Sequence, residues 1–199
     1  MKIKSIHRVG LGALCALMIS PVLAANTGAI WTTVSTGATV NSNIYNHRWD
    51  VYLNGGPNNN SGGGKLPDGD YYFQVTDPSG KTLLSQDDIS CRKVTVSGGK
   101  VTGAAGSCPH PNGTPDANGG RPVQLTPYAV TPNDGGEYKA WFTTVKDYKA
   151  GTCNFGFCSS NTKTDNFKVL PICVDVPNTA ILKETGQSSV AKVSNCQVY

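Results

Sequence analysis

After its N-terminal segment, this sequence nowhere sustains the apolar period of about 3.6 residues that marks an amphipathic helix. It breaks instead into short runs of alternating apolar and polar residues, each bounded by Gly, Pro, Asn or Asp. In an extended chain successive side chains point to opposite faces, so each run reads as a strand with one face turned to a core. Ile30 to Val34 sets Ile30, Thr32 and Val34 against Trp31 and Thr33, and Asp50 to Leu53 puts Val51 and Leu53 on one face. Tyr71 to Thr76 groups Tyr71, Phe73 and Val75, whereas Glu137 to Val145 groups Tyr138, Ala140 and Phe142. Arg92 to Val96 and Lys100 to Thr102 flank Ser97-Gly98-Gly99, a good hairpin turn. Val123 to Leu125 and the pair Phe167 and Val169 complete the set.

The acids agree with this reading. Eleven are Asp, against Glu137 and Glu184 alone, and Asp favours turns and caps where Glu favours helices. The expected fold is an all-β sandwich of about seven to nine short strands with long Gly-rich loops. The principal loops are Asn54 to Gly64 and Pro109 to Arg121, both expected at the surface.

Residues 1–24 read differently. Lys2, Lys4 and Arg8 precede an apolar run from Val9 to Val22, and Val22-Leu23-Ala24 resembles a small-residue cleavage site. This is the pattern of a secretory signal peptide, and the run is too short for a spanning helix. Without those three basic residues the formal charge falls from +4 to +1, so charge gives no reason to expect nucleic acid as a partner. Residues 25–170 are then expected to form the sandwich, and 171–199 a C-terminal tail or accessory hairpin. Cys15 lies within the signal. Cys91, Cys108, Cys153, Cys158, Cys173 and Cys196 remain, an even number with no C-x-x-C pair, which reads as disulfides in a secreted or periplasmic protein and not as a metal site. Pairing between sequence neighbours is expected, and the last pair, Cys173 with Cys196, would tether the tail.

Two turns lead aromatic strands. Pro67-Asp68-Gly69-Asp70-Tyr71 and Pro132-Asn133-Asp134-Gly135-Gly136-Glu137-Tyr138 each deliver a Tyr into an apolar run. The stretch from Leu66 to Gly80, LPDGDYYFQVTDPSG, resembles the hallmark of the prealbumin-like, collagen-adhesin B-type domains of bacterial surface proteins. The resemblance covers about fifteen residues and implies an Ig-like or prealbumin-like sandwich. The Lys-to-Asn/Asp isopeptide bond of many such domains is not carried over, because the first strand, Ala29 to Val34, has no Lys.

No G-x-S-x-G elbow, H-E-x-x-H helix or P-loop occurs. His47 and His110 are the candidate catalytic bases, each without a local partner motif, and no catalytic residue, cofactor or metal is expected. Asp68, Asp70, Asp77, Asp116 and Asp134 sit in Gly-containing turns, where calcium ligation and backbone capping are both open readings. Trp49, Trp141 and Tyr72 lie opposite or beside the apolar stripes and would form the aromatic row of a sugar platform if exposed. Three functions follow: a non-catalytic structural or adhesive module of the cell surface or secretome, a carbohydrate-binding module, or a secreted hydrolase. The first is expected; the sequence leaves its partner open, with an extracellular protein and a polysaccharide as the candidate classes.

Overall fold

The computed structural model describes residues 27–57, 64–181 and 188–197. Residues 1–24, expected to be a signal peptide, lie outside them. Eleven strands carry the fold: β1 (Ile30–Thr33), β2 (Ile44–Tyr45), β3 (Tyr52–Gly55), β4 (Gly69–Thr76), β5 (Lys93–Ser97), β6 (Lys100–Ala104), β7 (Val123–Gln124), β8 (Glu137–Thr144), β9 (Thr162–Val169), β10 (Ile172–Ile181) and β11 (Ser188–Gln197). The helices among the described residues are two single 3-10 turns, Arg48–Asp50 and Ser159–Asn161. One sheet has the order β1-β3-β7 and the other β2-β9-β8-β4-β5-β6. Every neighbouring pair is antiparallel except β2 with β9, which run parallel. β10 and β11 pair with each other in a third, two-stranded sheet.

The two larger sheets share one core, as in a β-sandwich. Leu53 of β3 and Val123 of β7 meet Tyr71, Phe73 and Val75 of β4 and Tyr138, Ala140 and Phe142 of β8. These are the residues that alternation assigns to the inner faces. Across the β4–β8 pair Phe73 stands opposite Phe142, and the Tyr71 ring stacks on the Phe142 ring at 4.5 Å. Both Tyr residues delivered by the two turns are fully buried. Each hydroxyl returns to backbone upstream: Tyr71 Oη donates to the Pro67 carbonyl at 2.8 Å, and Tyr138 Oη accepts from Thr131 N–H at 3.2 Å.

The β5–β6 hairpin closes through Gly98 and Gly99, with φ of 64° and 84°, the left-handed pair that a two-residue turn matched to strand twist requires. Asp68 fastens that turn to the β4 entry by accepting from the N–H groups of Gly98 and Gly99.

Several segments differ from their sequence reading. β3 runs on through Asn54 and Gly55, both buried, so the loop expected from Asn54 begins later. The loop from Pro109 to Arg121 is laced to the sandwich: Gly113 N–H donates to the Pro122 carbonyl, Thr114 N–H to Ser35, and Arg121 N–H to Val101. Asn112 and Val123 form a β-bridge. The stretch lies at the surface as expected, most of its residues being exposed, but it is hydrogen-bonded to the sandwich and carries the buried His110. β2 has no counterpart in the sequence reading, because two residues are too few to show alternation.

The outer face of the larger sheet is also covered. The chain between β8 and β9 folds back across it and is closed by the Cys153–Cys158 disulfide. Phe157 is fully buried there, with Tyr148 edge-on to it and to Tyr72. A Cβ at Gly156 would lie 2.2 Å from a Tyr148 ring carbon, so only glycine lets the loop lie this close. A second disulfide, Cys91–Cys108, joins the approach to β5 with the segment after β6. Both bonds link sequence neighbours, as expected. In the β10–β11 hairpin Cys173 and Cys196 are register partners.

Candidate functional site

The histidines occupy different settings. His110 is 5% exposed. Its Nε2 lies 2.7 Å from Asp87 Oδ2 and its Nδ1 2.8 Å from the Gln124 carbonyl. Both ring nitrogens therefore have a hydrogen-bonding partner. Arg92 is buried beside them, its Nε 3.4 Å from Asp87 Oδ1 without hydrogen-bond alignment. Burial lowers the Arg92 pKa, and the Asp87 charge opposes that shift. The ring of His110 stands edge-on to Phe73 at 4.8 Å. A catalytic histidine needs an acid on one side and a nucleophile on the other. His110 has the acid, but its second nitrogen is taken by a backbone carbonyl.

The turn acids cap backbone. Asp77 accepts from Ser79 and Thr82 N–H, and Asp116 from Asn118 and Gly120 N–H and from the Asn54 amide. Asp70 binds Lys93 and Thr95, the Lys93 contact being the chief cause of its lowered pKa. Among the described residues no group of three or more His, Cys, Asp or Glu is placed to hold a metal ion.

The three aromatics do not form the row of a sugar platform. Trp141 is only 6% exposed: its Nε1 donates to Thr76 Oγ1 at 2.8 Å. A Cβ at Gly80 would come within 2.7 Å of its ring. Tyr72 is half-buried against Tyr148. Alternation placed both side chains on the outer face correctly, but a segment distant in sequence covers that face.

Trp49 alone of the three is well exposed, at 53%, and it forms the wall of a groove. The groove, of about 380 Å³, lies between the end of β1, β2 and the start of β3, and Asn46, Asp50, Tyr52 and Gln124 line it. The 3-10 turn Arg48–Asp50 sets the indole. Arg48 is tied inward: its Nη1 donates to the Tyr128 carbonyl, and the Tyr128 hydroxyl donates to the Arg48 carbonyl at 3.1 Å. Val51, just past the turn, is fully buried. With both flanks anchored, the middle residue is pushed outward. Gln124 Nε2 holds the turn from β7 by donating to the Trp49 carbonyl at 2.7 Å. His47 stacks on the indole, ring centroids 4.5 Å apart and planes 10° from parallel, yet does not line the groove, so it backs the ring from outside.

Three of the polar side chains lining the groove are free of protein partners among the described residues. The side chains of Asp50, Asn46 and Tyr52 make no hydrogen bond or ion pair among the described residues. Burial, and then the Asp50 charge, raises the pKa of the Tyr52 hydroxyl. Tyr52, Asn46 and Gln124 were not singled out by the sequence; the clue in it was the polar-aromatic run Tyr45-Asn46-His47-Arg48-Trp49-Asp50.

No family model, no curated protein and no solved structure matches this chain.

Proposed function

We propose that this chain is a non-catalytic structural or adhesive module of the bacterial cell surface or secretome, built on an Ig-like or prealbumin-like sandwich. The observation that carries the reading is the pair of disulfides: Cys91–Cys108 joins the segment before β5 to the segment after β6, and Cys153–Cys158 closes the loop that lies over the larger sheet. Disulfides of this kind persist in oxidising compartments, where a small domain gains rigidity from them. A rigid scaffold presenting fixed loops suits display and contact. The engagement of both His110 nitrogens by Asp87 and a backbone carbonyl favours a structural part for the residue that a hydrolase would need.

Antibody labelling and protease shaving of intact producing cells, with assay of the medium, test the proposal. The protein is expected at the surface or in the medium. Confinement to the cytoplasm would overturn it. So would turnover of ester, peptide or glycoside substrates that disappears on His47→Ala or His110→Gln.

A further inference from the structure

We infer that the Trp49 groove binds a short stretch of a neutral, β-1,4-linked pyranose chain. Three features point to this ligand class. The first is the indole: 53% exposed, backed by His47 and held by its carbonyl to Gln124, it offers a fixed flat apolar surface. A pyranose ring with equatorial substituents presents its axial C–H groups to such a surface, and a preorganised aromatic loses little entropy on binding.

The second feature is the set of polar groups around that surface. The Asp50 carboxylate, the Asn46 amide and the Tyr52 hydroxyl line the same groove and make no hydrogen bond or ion pair among the described residues. Equatorial hydroxyls at a ring's rim can donate to the carboxylate and exchange hydrogen bonds with the amide and phenol. Polar groups converging on an apolar wall are the usual composition of a small-ligand site.

The third feature is charge and shape. Among the described residues Asp50 is the one acidic or basic side chain lining the groove, so uronic or sulfated sugars meet a like charge there. At about 380 Å³ the groove lies near the low end of ligand-site volumes, ~300–1,000 Å³, which suits a short segment of an extended chain. Ile44, 59% exposed, extends the apolar surface along β2.

This inference goes beyond display, since a scaffold with no ligand would satisfy that reading equally. The test is affinity electrophoresis and calorimetric titration of the mature protein with cellohexaose and chitohexaose, with polygalacturonate as the anionic comparison. Wild type is expected to bind at least one neutral oligosaccharide and to disregard polygalacturonate. Trp49→Ala should weaken binding by about tenfold or more, and Asp50→Asn by about three- to tenfold. Both side chains stand outside the core, so both variants should keep the wild-type melting temperature. The inference is overturned if wild type binds neither neutral oligosaccharide, if both variants bind like wild type, or if polygalacturonate binds best. Surface display without sugar binding would sink this inference alone; sugar binding by a protein that never leaves the cytoplasm would sink the display reading alone.

Discussion

His110 Nε2 and Asp87 Oδ2 lie 2.7 Å apart with both side chains largely buried, and they join two segments 23 residues apart in sequence. Gln124 of β7 accepts from the opposite ring nitrogen, so one imidazole ties the approach to β5 to the edge of the smaller sheet. Asp87→Ala would leave His110 and Arg92 without their carboxylate. Breaking a buried charged pair from one side costs about 3–5 kcal/mol. Urea unfolding should show a loss of that order, and a loss below about 1 kcal/mol would mean that the cluster adds little.

The two turn tyrosines should respond unequally to loss of the hydroxyl. Tyr71 Oη donates to the carbonyl of Pro67, an exposed residue that water can reach. Tyr71→Phe should therefore cost about 1 kcal/mol. Tyr138 Oη accepts from the buried N–H of Thr131, which Tyr138→Phe would strand. That change should cost more, about 1–3 kcal/mol. Thermal denaturation of the two variants side by side checks the order, and equal losses would contradict it.

These tyrosines also show what the sequence made legible. A Pro-Asp-Gly or Asn-Asp-Gly-Gly turn followed by alternation fixes which face enters the core, because both signals act within a few residues. Tyr71, Phe73, Val75, Tyr138, Ala140 and Phe142 are all fully buried as alternation requires. The outer face was not legible, because its fate depends on where the chain from 145 to 158 goes. Trp141 sits there under Gly80 and Asn154, and no local pattern announces such a lid. β10 and β11 form a hairpin in the segment read as a tail or accessory hairpin; Pro177 in the first and the Ser and Asn residues of the second hide the alternation that marks a strand. The Trp49 groove draws on residues from 34 to 124 and exists only after the sheets have packed.

Asp165 gives a pH test. Its Oδ2 accepts from Thr32 N–H at 2.7 Å at the edge of β1, yet burial raises its pKa above 3.8 by more than its hydrogen bonds lower it. A carboxyl whose pKa is raised on folding holds its proton more tightly in the folded state. Ionisation therefore costs stability at neutral pH, and the cost fades as pH falls through the raised value and vanishes below 3.8. Asp165→Asn keeps an acceptor for Thr32 and carries no charge. It should raise the melting temperature at pH 7 and leave it unchanged at pH 3. A lower melting temperature at pH 7 would show that the ionised carboxylate is favoured where it lies.

The disulfides should differ in worth with loop length. Cys91–Cys108 spans a sequence separation of 17 and Cys153–Cys158 one of 5. Loop-closure entropy assigns about 3 kcal/mol to the first and about 2 kcal/mol to the second. Paired Cys→Ser substitutions followed by denaturant titration should reproduce that order. A larger loss at the short loop would mean that it acts through packing over Trp141 and Phe157 and not through chain entropy.

The most direct measurement is thiol trapping of the protein taken from cells that produce it with its own N-terminal segment. Free thiols are alkylated before denaturation, and the linked peptides are then mapped by mass spectrometry. An exported, disulfide-braced module should show Cys91 joined to Cys108, Cys153 to Cys158 and Cys173 to Cys196, with no alkylated cysteine in the mature chain. Alkylated cysteines at these positions would place the protein in a reducing compartment and contradict the account.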